Sequence, residues 1–297
     1  MNQIHGDDIT VVLVTYNSAH CLPALADPLQ AIKNVIVVDN ASDDDIAVQL
    51  PRLLPNARLI KNPKNLGFGA ANNRALATVT TSYALLLNPD CLPTPVFFDG
   101  LLAAAACFPD AAIIAPHLIR RNGTPEVSYR WPATHWESQG PQALGPCCVG
   151  FVCGAVMLLN MQVMKEVGFF DETFFLYYED EDLCQRAFLQ NQQIVLVPEV
   201  QITHLSRGSV KGPNPLKSEF IRGYHHAQSK LVFERKYFSA AQAGRLRWKT
   251  LLLALLTLVP RLLLPQPRYL ARLAGRIMGL CRPYPTCGNN AQNGRGV

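Results

Sequence analysis

Residues 9–39 read ITVVLVTYNSAHCLPALADPLQAIKNVIVVD, and this stretch indicates the fold. Ile9–Thr15 and Asn34–Asp39 are continuous runs of apolar, mostly β-branched residues, as expected of strands that are buried on both faces. The residues between them, roughly Ala19–Ala31, have apolar side chains at helical spacing. A strand, a helix and a second strand in this order predict two parallel strands joined by a crossover helix.

The same alternation continues through the first 120 residues of the chain. Further strand-like runs are Ala57–Lys61, Tyr83–Leu87 and the weaker Ala111–Ala115. Helical spacing recurs at Asp43–Leu54, Gly69–Val79 and Pro95–Cys107. The predicted fold class is therefore α/β, with a mostly parallel central sheet and helices on both faces. Ligands of such sheets bind beyond the carboxyl ends of the strands, so the polar residues at those ends are candidates for a site.

Charge is distributed unevenly along the 297-residue chain, whose net charge is +5. Met1–His204 carries 11 Lys and Arg against 20 Asp and Glu, a net −9, whereas Leu205–Val297 carries 16 against 2, a net +14. We therefore predict a globular domain over residues 1–207, a basic and aliphatic helical extension over 208–281, and a disordered tail over 282–297.

Composition narrows the class of protein. Hydrophobic residues make up 49% of the chain and charged residues 16%, which excludes a disordered chain because a sizeable core can be buried. No apolar stretch is long enough to span a bilayer, and the polar start of the chain is unlike a signal peptide, so we expect a cytoplasmic protein. Nine cysteines without a C-x-x-C pair favour reduced thiols over a zinc knuckle.

Polar residues follow the first two predicted strands. Thr15–Asn17 end the first strand, and Asp39 ends the second, where its carboxylate is interpreted as facing a ligand. Ser42 is interpreted as the cap of the next helix, with Asp43–Asp45 at the positive end of that helix.

Two further stretches follow later strands. Asn65–Arg74 approaches G-x-G-x-x-G, but Asn72 stands at the third glycine position and the stretch follows the third strand. A dinucleotide-binding fold is therefore disfavoured, and a small-residue loop that admits a nucleotide is favoured. Asp90, in the sequence Asn-Pro-Asp, either forms a turn or holds Mg²⁺ or Mn²⁺. His204 is either structural or joins Asp90 around that metal.

A run of four acids, residues 179–182, comes directly after two tyrosines. Such acids either complement the dipole at a helix start or include a general base whose pKa is raised beside apolar surface. Asp182 and Arg186 are four residues apart and can pair on one helix face, so Asp182 is interpreted as structural. Glu179 or Asp180 is the better candidate for the base.

Several stretches together resemble glycosyltransferase family 2, inverting enzymes with the GT-A fold. Within the family the chain most resembles bacterial rhamnosyltransferases and O-antigen or cell-wall glycan transferases. The matching stretches span about residues 8–207, and in chain order they are VTYNS (Val14–Ser18), VVDNASDD (Val37–Asp44), NLGFGAANNRA (Asn65–Ala75), LLLNPD (Leu85–Asp90), GFVCGAVMLLN (Gly150–Asn160) and VGFFDETFFLYYEDEDLCQRA (Val167–Ala187).

The resemblance implies a role for each candidate. The residues implied in nucleotide-sugar binding are Thr15, Tyr16, Asn17, Asp39, Asn65, Gly67, Arg74, Asn88 and Gly154. Asp90 and His204 would hold a divalent metal, Mg²⁺ or Mn²⁺, and Asp180 would be the catalytic base with Glu179 beside it. Asn88 stands where many relatives have the first acid of a D-x-D motif, which leaves one carboxylate for the metal.

The implied reaction is a single displacement with inversion. Asp180 would remove the proton of an acceptor hydroxyl as its oxygen attacks the anomeric carbon of a dTDP- or UDP-sugar, with rhamnose favoured. The acceptor would be a glycan or a polyprenyl-linked glycan in cell-surface polysaccharide synthesis. A non-catalytic, glycan-binding or scaffolding homologue is the alternative, and the presence of Asp39, Asp90 and Asp180 argues against it. A nucleotidyltransferase is disfavoured, because that class of enzyme has a basic, glycine-rich loop after the first strand and this chain does not.

The basic extension contains a strongly apolar stretch, Lys249–Leu264, flanked by Arg245 and Arg268. Its uncharged part is too short to cross a bilayer, and Pro260 would bend it. We expect an interfacial helix on an anionic membrane surface, which places the protein on the inner face of the plasma membrane. A helical appendage that packs on the catalytic domain or forms a homodimer is the alternative. Nucleic acid is disfavoured because few aromatic residues and no recognition motif accompany the charge.

Overall fold

A computed structural model describes residues 6–126, 128–131, 142–206, 208–210, 214–263 and 266–285. The sequence predicts a disordered tail over residues 282–297, and its residues from 286 onward lie outside these ranges. The strands are β1 (Ile9–Thr15), β2 (Asn34–Asp39), β3 (Ala57–Lys61), β4 (Tyr83–Leu87), β5 (Cys91–Leu92), β6 (Ile113–Ile119), β7 (Tyr129–Arg130), β8 (Cys147–Cys148), β9 (Phe151–Val152), β10 (Val156–Asn160) and β11 (Ile194–His204). The helices are α1 (Leu22–Gln30), α2 (Ile46–Leu53), α3 (Phe68–Leu76), α4 (Pro95–Cys107), α5 (Met161–Val167), α6 (Glu179–Leu189), α7 (Pro215–Tyr237), α8 (Ala240–Leu256), α9 (Leu258–Leu263) and α10 (Pro267–Cys281).

The chain forms two compact units. The sheet unit comprises Met1–Phe170 and Asp180–Lys211, and the helical unit comprises Asp171–Glu179 and Gly212–Val297. The short segment Asp171–Glu179 thus groups with the C-terminal helices, although the residues on both sides of it belong to the sheet unit.

The central sheet confirms the predicted α/β fold class. Its strand order is β3-β2-β1-β4-β10-β6-β11-β5, and β8 pairs with β11. The strands β3, β2, β1 and β4 are parallel, as are β6 and β11. Strand β10 runs antiparallel to both of its neighbours, β4 and β6, so the sheet is mixed. Because β4 and β6 are both antiparallel to β10, they run in the same direction.

Helices cover both faces of the sheet. Buried apolar residues of α1, α2 and α4 pack on one face, and those of α3, α5 and α6 pack on the other. The sequence of strand β4, YALLL, shows no alternation of polar and apolar residues, because all five of its side chains are buried. Removal of so much apolar surface from water, at about 25 cal/mol per Å², is the dominant stabilising contribution to such a fold.

The predicted elements differ from the observed ones mainly at their ends. The first four predicted strands and the helix Pro95–Cys107 have the observed bounds, whereas β6 begins two residues later and ends four residues later than predicted. The predicted helix at Asp43–Leu54 begins at Ile46. The interpretation of Ser42 as its cap is wrong, because Ser42 Oγ accepts a hydrogen bond from the amide of Asn17 at 2.9 Å instead.

In the helical unit, α7 and α10 cross at glycine residues. A Cβ atom at Gly275 would overlap the carbonyl of Phe220, and one at Gly223 would overlap the carbonyl of Arg272. Gly279 meets the carbonyl of Tyr224 in the same way. Glycine therefore allows the two helix backbones to approach more closely than any other residue would permit.

We expect Gly275→Ala to lower the free energy of unfolding by about 1–3 kcal/mol, because the two helices must separate to admit the methyl group. Gly244→Ala in α8 is the matched control, since a Cβ there meets nothing within 4 Å. The control is expected to raise stability by about 0.5–1 kcal/mol through the helix propensity of alanine. Urea unfolding followed by circular dichroism measures both changes, and a neutral Gly275→Ala would contradict the close crossing.

Helices α8 and α9 expose an apolar stripe. Trp248 is 70% exposed, Leu252 60%, Leu256 63% and Val259 64%. These positions recur at intervals of three and four residues and so lie along one side of the helical path. Among the described residues, no helix is both long and apolar enough to cross a membrane.

Candidate active site

The carboxyl edge of the sheet collects most of the predicted site residues. Strands β1, β2 and β4 are parallel, so the last residues of β1 and β2, Thr15 and Asp39, lie at the same edge as the Asn88–Asp90 turn after β4. Strand β10 is antiparallel and begins there, because Val156 pairs with Leu87. Strand β11 ends there, because it is parallel to β6. The edge of the sheet therefore brings Gly154 and His204 to the same side as the residues after β1, β2 and β4.

Hydrogen bonds join the turns that follow β1 and β2. Asp39 Oδ1 accepts from the amide of Ser42 at 3.0 Å, and Asn17 Oδ1 accepts from the amide of Asp43 at 2.8 Å. Thr15 Oγ1 donates to the carbonyl of Val38 at 3.2 Å. Asn17 has a φ of 53°, a left-handed conformation that asparagine tolerates better than most residues. These bonds fix the backbone of the predicted nucleoside pocket.

The glycine-rich loop is tied to the end of β2 by a buried asparagine that the sequence analysis did not single out. Asn40 Nδ2 donates to Asn65 Oδ1 at 2.9 Å and to the carbonyl of Gly67 at 3.2 Å. Asn40 Oδ1 accepts from Asn62 Nδ2 at 3.0 Å. Arg74 is exposed, and its Nη1 donates to Asn62 Oδ1 at 2.8 Å. The predicted loop residues thus form one hydrogen-bonded network.

Tyr16 and Asn88 are the other predicted nucleotide-sugar contacts at this edge. The amide of Tyr16 donates to Ser18 Oγ at 3.2 Å, and the Tyr16 side chain is partly exposed. Asn88 holds a turn, because its amide donates to the carbonyl of Ala155 at 2.9 Å and its carbonyl accepts from the amide of Cys91 at 3.0 Å. The predicted turn chemistry of the Asn-Pro-Asp stretch is therefore present.

Asp90 and His204 lie next to each other, as the predicted metal site requires. Asp90 is 2% exposed, and its Oδ2 accepts from the amides of Gly208 at 2.9 Å and Ser209 at 3.1 Å. Its Oδ1 is buried, accepts no hydrogen bond from the described residues, and lies 3.8 Å from His204 Nε2. A buried carboxylate oxygen without a donor is costly unless something else compensates it.

The other nitrogen of His204 contacts a carboxylate. His204 Nδ1 lies 3.0 Å from Glu126 Oε2, and this pairing assigns the proton to Nδ1. In the neutral imidazole with its proton on Nδ1, Nε2 presents a lone pair 3.8 Å from Asp90 Oδ1, so two acceptors share one small space. That donor set fits Mg²⁺ or Mn²⁺, and a carboxylate that orients a ligating histidine is a common feature of metal sites. Cys91 also lies within the cluster, but its soft thiol suits neither ion.

Asp180 is held at the start of α6 by two backbone amides. Gly154 donates to its Oδ2 and Glu181 to its Oδ1, both at 2.9 Å. Burial raises the pKa of Asp180, while these amides and the charge of Arg130 oppose that rise. Arg130 pairs with Glu181 Oε1 at 2.7 Å and lies over the ring of Phe151, 4.0 Å from its centroid. This environment suits a carboxylate that exchanges a proton.

Gly154 lies against Asp180, which gives this predicted site residue a specific role. A Cβ at residue 154 would lie 3.1 Å from Asp180 Cβ and 3.4 Å from its Oδ2. Such a distance is shorter than an ordinary carbon contact, so the carboxylate would have to move.

We expect Gly154→Ala to lower kcat by up to about tenfold, because Asp180 must shift by a few tenths of an ångström and a 1 Å misplacement costs about a hundredfold. The KM for the donor and the melting temperature should change little, since the three atoms nearest to the methyl group all belong to Asp180. Gly145→Ala is a suitable control, because a Cβ there lies 3.8 Å from its nearest neighbour, a flexible glutamate side chain. A Gly154→Ala variant with normal kcat would contradict this arrangement.

Asp182 and Arg186 have the structural role that their spacing predicts. Asp182 is fully buried, and its Oδ2 accepts from Arg186 Nε at 2.9 Å. Arg186 also donates to the carbonyls of Val167 and Gly168, each at 2.8 Å. The pair therefore fixes the loop before Asp171 to helix α6.

The segment Asp171–Glu179 is held by α7 within the helical unit. Lys236 Nζ pairs with Asp171 Oδ2 at 2.6 Å, and Ser229 Oγ donates to the carbonyl of Leu176 at 2.9 Å. The ring of Phe175 stacks on His225 with centroids 4.2 Å apart. Glu179, the second candidate for the base, is 5% exposed at the end of this segment. The sequence offered no signal for this packing.

Comparison with known proteins shows the family to which the chain is similar. Residues 10–168 match the family model described as Glycosyl transferase family 2. An N-acetylglucosaminyl-diphospho-decaprenol L-rhamnosyltransferase of Mycobacterium tuberculosis is 27% identical over 82% of this chain and 89% of its own length. The low-salt glycan biosynthesis hexosyltransferase Agl10 of Haloferax volcanii is 25% identical over 67% of each chain.

Two solved structures have the same fold. The mannosyltransferase PcManGT of Pyrobaculum calidifontis, in complex with GDP-Man and Mn²⁺, superposes with a TM-score of 0.53 at 16% identity over 92% of this chain and 86% of its own. GalNAc-T7 with UDP, GalNAc and Mn²⁺ superposes with a TM-score of 0.54 at 13% identity over 81% of this chain. The chain spans 54% of the length of GalNAc-T7. The GT-A fold predicted from the sequence is thereby confirmed.

Proposed function

Because the chain belongs to glycosyl transferase family 2 and is a glycosyltransferase, we propose that it moves a sugar, rhamnose by preference, from a nucleoside diphosphate to a polyprenyl-linked glycan with inversion. The observation that carries the proposal is the sheet edge itself. There a half-buried Asp180 held by backbone amides and an Asp90–His204 pair belong to one unit, alongside the polar turns after β1 and β2.

In the proposed reaction Asp180 accepts the proton of the attacking hydroxyl. The amides of Gly154 and Glu181 orient its two oxygens and, with the charge of Arg130, oppose the rise in its pKa that burial causes. No covalent enzyme intermediate is needed, because the acceptor oxygen attacks the anomeric carbon directly.

The remaining residues would bind the donor. Asp39 and the turn after β1 would hold the nucleoside, and the loop from Asn65 to Arg74 would lie against the diphosphate. Asp90 and His204 would hold the divalent metal, and Glu126 would orient His204. A metal bound there would offset negative charge on the departing nucleoside diphosphate.

The proposed acceptor follows from likeness to the mycobacterial rhamnosyltransferase, whose name specifies a decaprenyl diphosphate carrier. The experiment is a transfer assay with purified protein, Mn²⁺, dTDP-, UDP- and GDP-sugars and a prenyl diphosphate-linked N-acetylglucosamine. We expect transfer from one donor, and NMR of the product should show an inverted anomeric centre. A product with retained configuration would overturn the single displacement, and absence of transfer with every donor would favour the scaffolding alternative.

We further propose that the exposed stripe on α8 and α9 rests on an anionic membrane at the cytoplasmic face. Leu252→Glu is expected to weaken vesicle binding about tenfold or more, because burial of one leucine contributes about 1.5–3 kcal/mol. Leu189→Glu in α6 is the matched control, since Leu252 and Leu189 are each 60% exposed. Flotation with phosphatidylglycerol vesicles measures the difference. Equal flotation, or a change from dimer to monomer on Leu252→Glu, would contradict the membrane proposal.

A further inference from the structure

A cavity of about 90 Å³ lies within the helical unit, and side chains of α7, α8 and α10 line it. Its polar lining includes three basic residues, His226 and Lys230 of α7 and Arg276 of α10. A water molecule needs about 10–15 Å³ of such space, so the cavity has room for a phosphate-sized group.

Part of the positive charge around this cavity is uncompensated, although the neighbouring Arg272 lies 3.8 Å from Glu219 Oε2. Across the described part of the helical unit, neither Lys230 nor Arg276 forms an ion pair with an acidic side chain. Burial, together with the charges of Arg276, Lys230 and Arg272, lowers the pKa of His226 to about 4. Burial and the charges of Arg272 and Arg261 lower the pKa of Arg276. Cations gathered in this way are stabilised by an anion with several acceptor oxygens.

The rest of the lining is apolar, from Leu231 of α7, Leu246 of α8 and Leu280 of α10. On α8, Leu252 lies two positions beyond the cavity residue Thr250, about 200° around the helix. One face of α8 therefore borders the cavity, and the opposite face carries the exposed apolar stripe. A helix is about 10 Å across, so if the stripe enters the acyl boundary, the cavity lies at the level of lipid head groups.

We propose that this cavity binds the diphosphate of the isoprenoid lipid that carries the acceptor, an inference that rests on the proposed function. The cations are recessed between helices, where a head group that extends above the membrane can reach them. A flat phospholipid surface would instead meet exposed cations such as Lys249 and Arg268.

The test is equilibrium binding of farnesyl diphosphate, in a soluble detergent, to the full chain. Lys230→Gln/Arg276→Gln is expected to weaken binding about tenfold or more, because two charge-assisted contacts are lost. Lys249→Gln/Arg268→Gln removes the same charge outside the cavity and should leave farnesyl diphosphate binding unchanged while weakening phosphatidylglycerol vesicle binding. Equal loss in both double variants would overturn the proposal.

Two further measurements use the unaltered chain. NMR titration of His226 should show its pKa rise when farnesyl diphosphate is bound, since the anion offsets the nearby cations. Farnesol and inorganic pyrophosphate should each bind at least tenfold more weakly. An unchanged His226, or pyrophosphate as strong as farnesyl diphosphate, would overturn the lipid assignment. The proposed function is tested separately, by thermal stabilisation with nucleotide sugars and by sugar transfer to a water-soluble acceptor. If only the farnesyl diphosphate experiments fail, the cavity inference is wrong. If stabilisation and transfer fail, the proposed function is wrong.

Discussion

Asp180→Asn is expected to lower the turnover of sugar transfer by about 10²–10⁴-fold, the usual contribution of a positioned general base. The substitution keeps the size of the side chain and an oxygen that can accept from the Gly154 amide. It replaces the oxygen that accepts from the Glu181 amide by an NH₂ group, and it removes the ability to take up a proton. Donor binding should therefore persist, which separates a chemical role of Asp180 from a structural one.

The pH dependence of the reaction gives an independent readout. Only the ionised carboxylate can accept a proton, so activity is lost as the pH falls through the pKa of Asp180. Burial raises that pKa, so the acid limb should lie at higher pH than for an ordinary aspartate. In Asp180→Asn this limb should be absent from the residual activity.

Glu179→Gln is the matched control for the choice between the two candidate bases. Both residues are acids at the start of α6, Glu179 buried and Asp180 half-buried, and both substitutions replace a carboxylate by its amide. We expect the loss in Glu179→Gln to be at least tenfold smaller. If Asp180→Asn keeps near-normal kcat while Glu179→Gln loses it, the base has been assigned to the wrong residue.

The sequence predicted most of the sheet because strand signals are local. Strands such as β4 are buried on both faces, and a continuous apolar run reveals that burial without knowledge of the neighbours. The direction of β10 could not be predicted in the same way. Its run of apolar residues is the same whether it pairs parallel or antiparallel, and only the path of the chain between β6 and β10 determines the direction.

The candidate site was predictable where a residue lies at or just after a strand end, as Asp39 at the end of β2 and Asp90 in the turn after β4 do. Its supporting residues were not, because their partners are distant in sequence. Glu126 contacts His204 across 78 residues, and Arg130 contacts Glu181 across 51. Both come from Arg120–Pro146, a stretch rich in Gly, Pro and Trp whose composition predicts only a long loop or β-excursion. The packing of Asp171–Glu179 on α7 has the same character, since Lys236 is 65 residues from Asp171.

Asp90→Asn is expected to abolish the metal-dependent stabilisation of the protein by its donor nucleotide. A ligand at a hundredfold excess over its Kd stabilises the folded state by about 2.7 kcal/mol, which a thermal unfolding experiment detects readily. In the unaltered chain, nucleoside diphosphate with Mn²⁺ should raise the melting temperature by several degrees more than either alone. In Asp90→Asn the metal should add nothing, because one charged oxygen ligand is gone.

The sign of the effect on the ligand-free protein makes this test specific. Asp90 Oδ1 is buried beside His204 and accepts no hydrogen bond from the described residues, so this oxygen, unlike Oδ2, is desolvated without a donor. The side-chain amide introduced by Asp90→Asn would retain an oxygen for the backbone amides of Gly208 and Ser209, and its NH₂ group could donate toward His204 Nε2. Without ligand, Asp90→Asn should therefore be as stable as the original chain or more stable. Glu126→Gln should lower the affinity for the metal by only about 10–100-fold, as expected when the carboxylate that orients a ligating histidine is neutralised. If Asp90→Asn instead unfolds more easily and still responds to Mn²⁺ with nucleotide, Asp90 is a structural acid and the metal is held elsewhere.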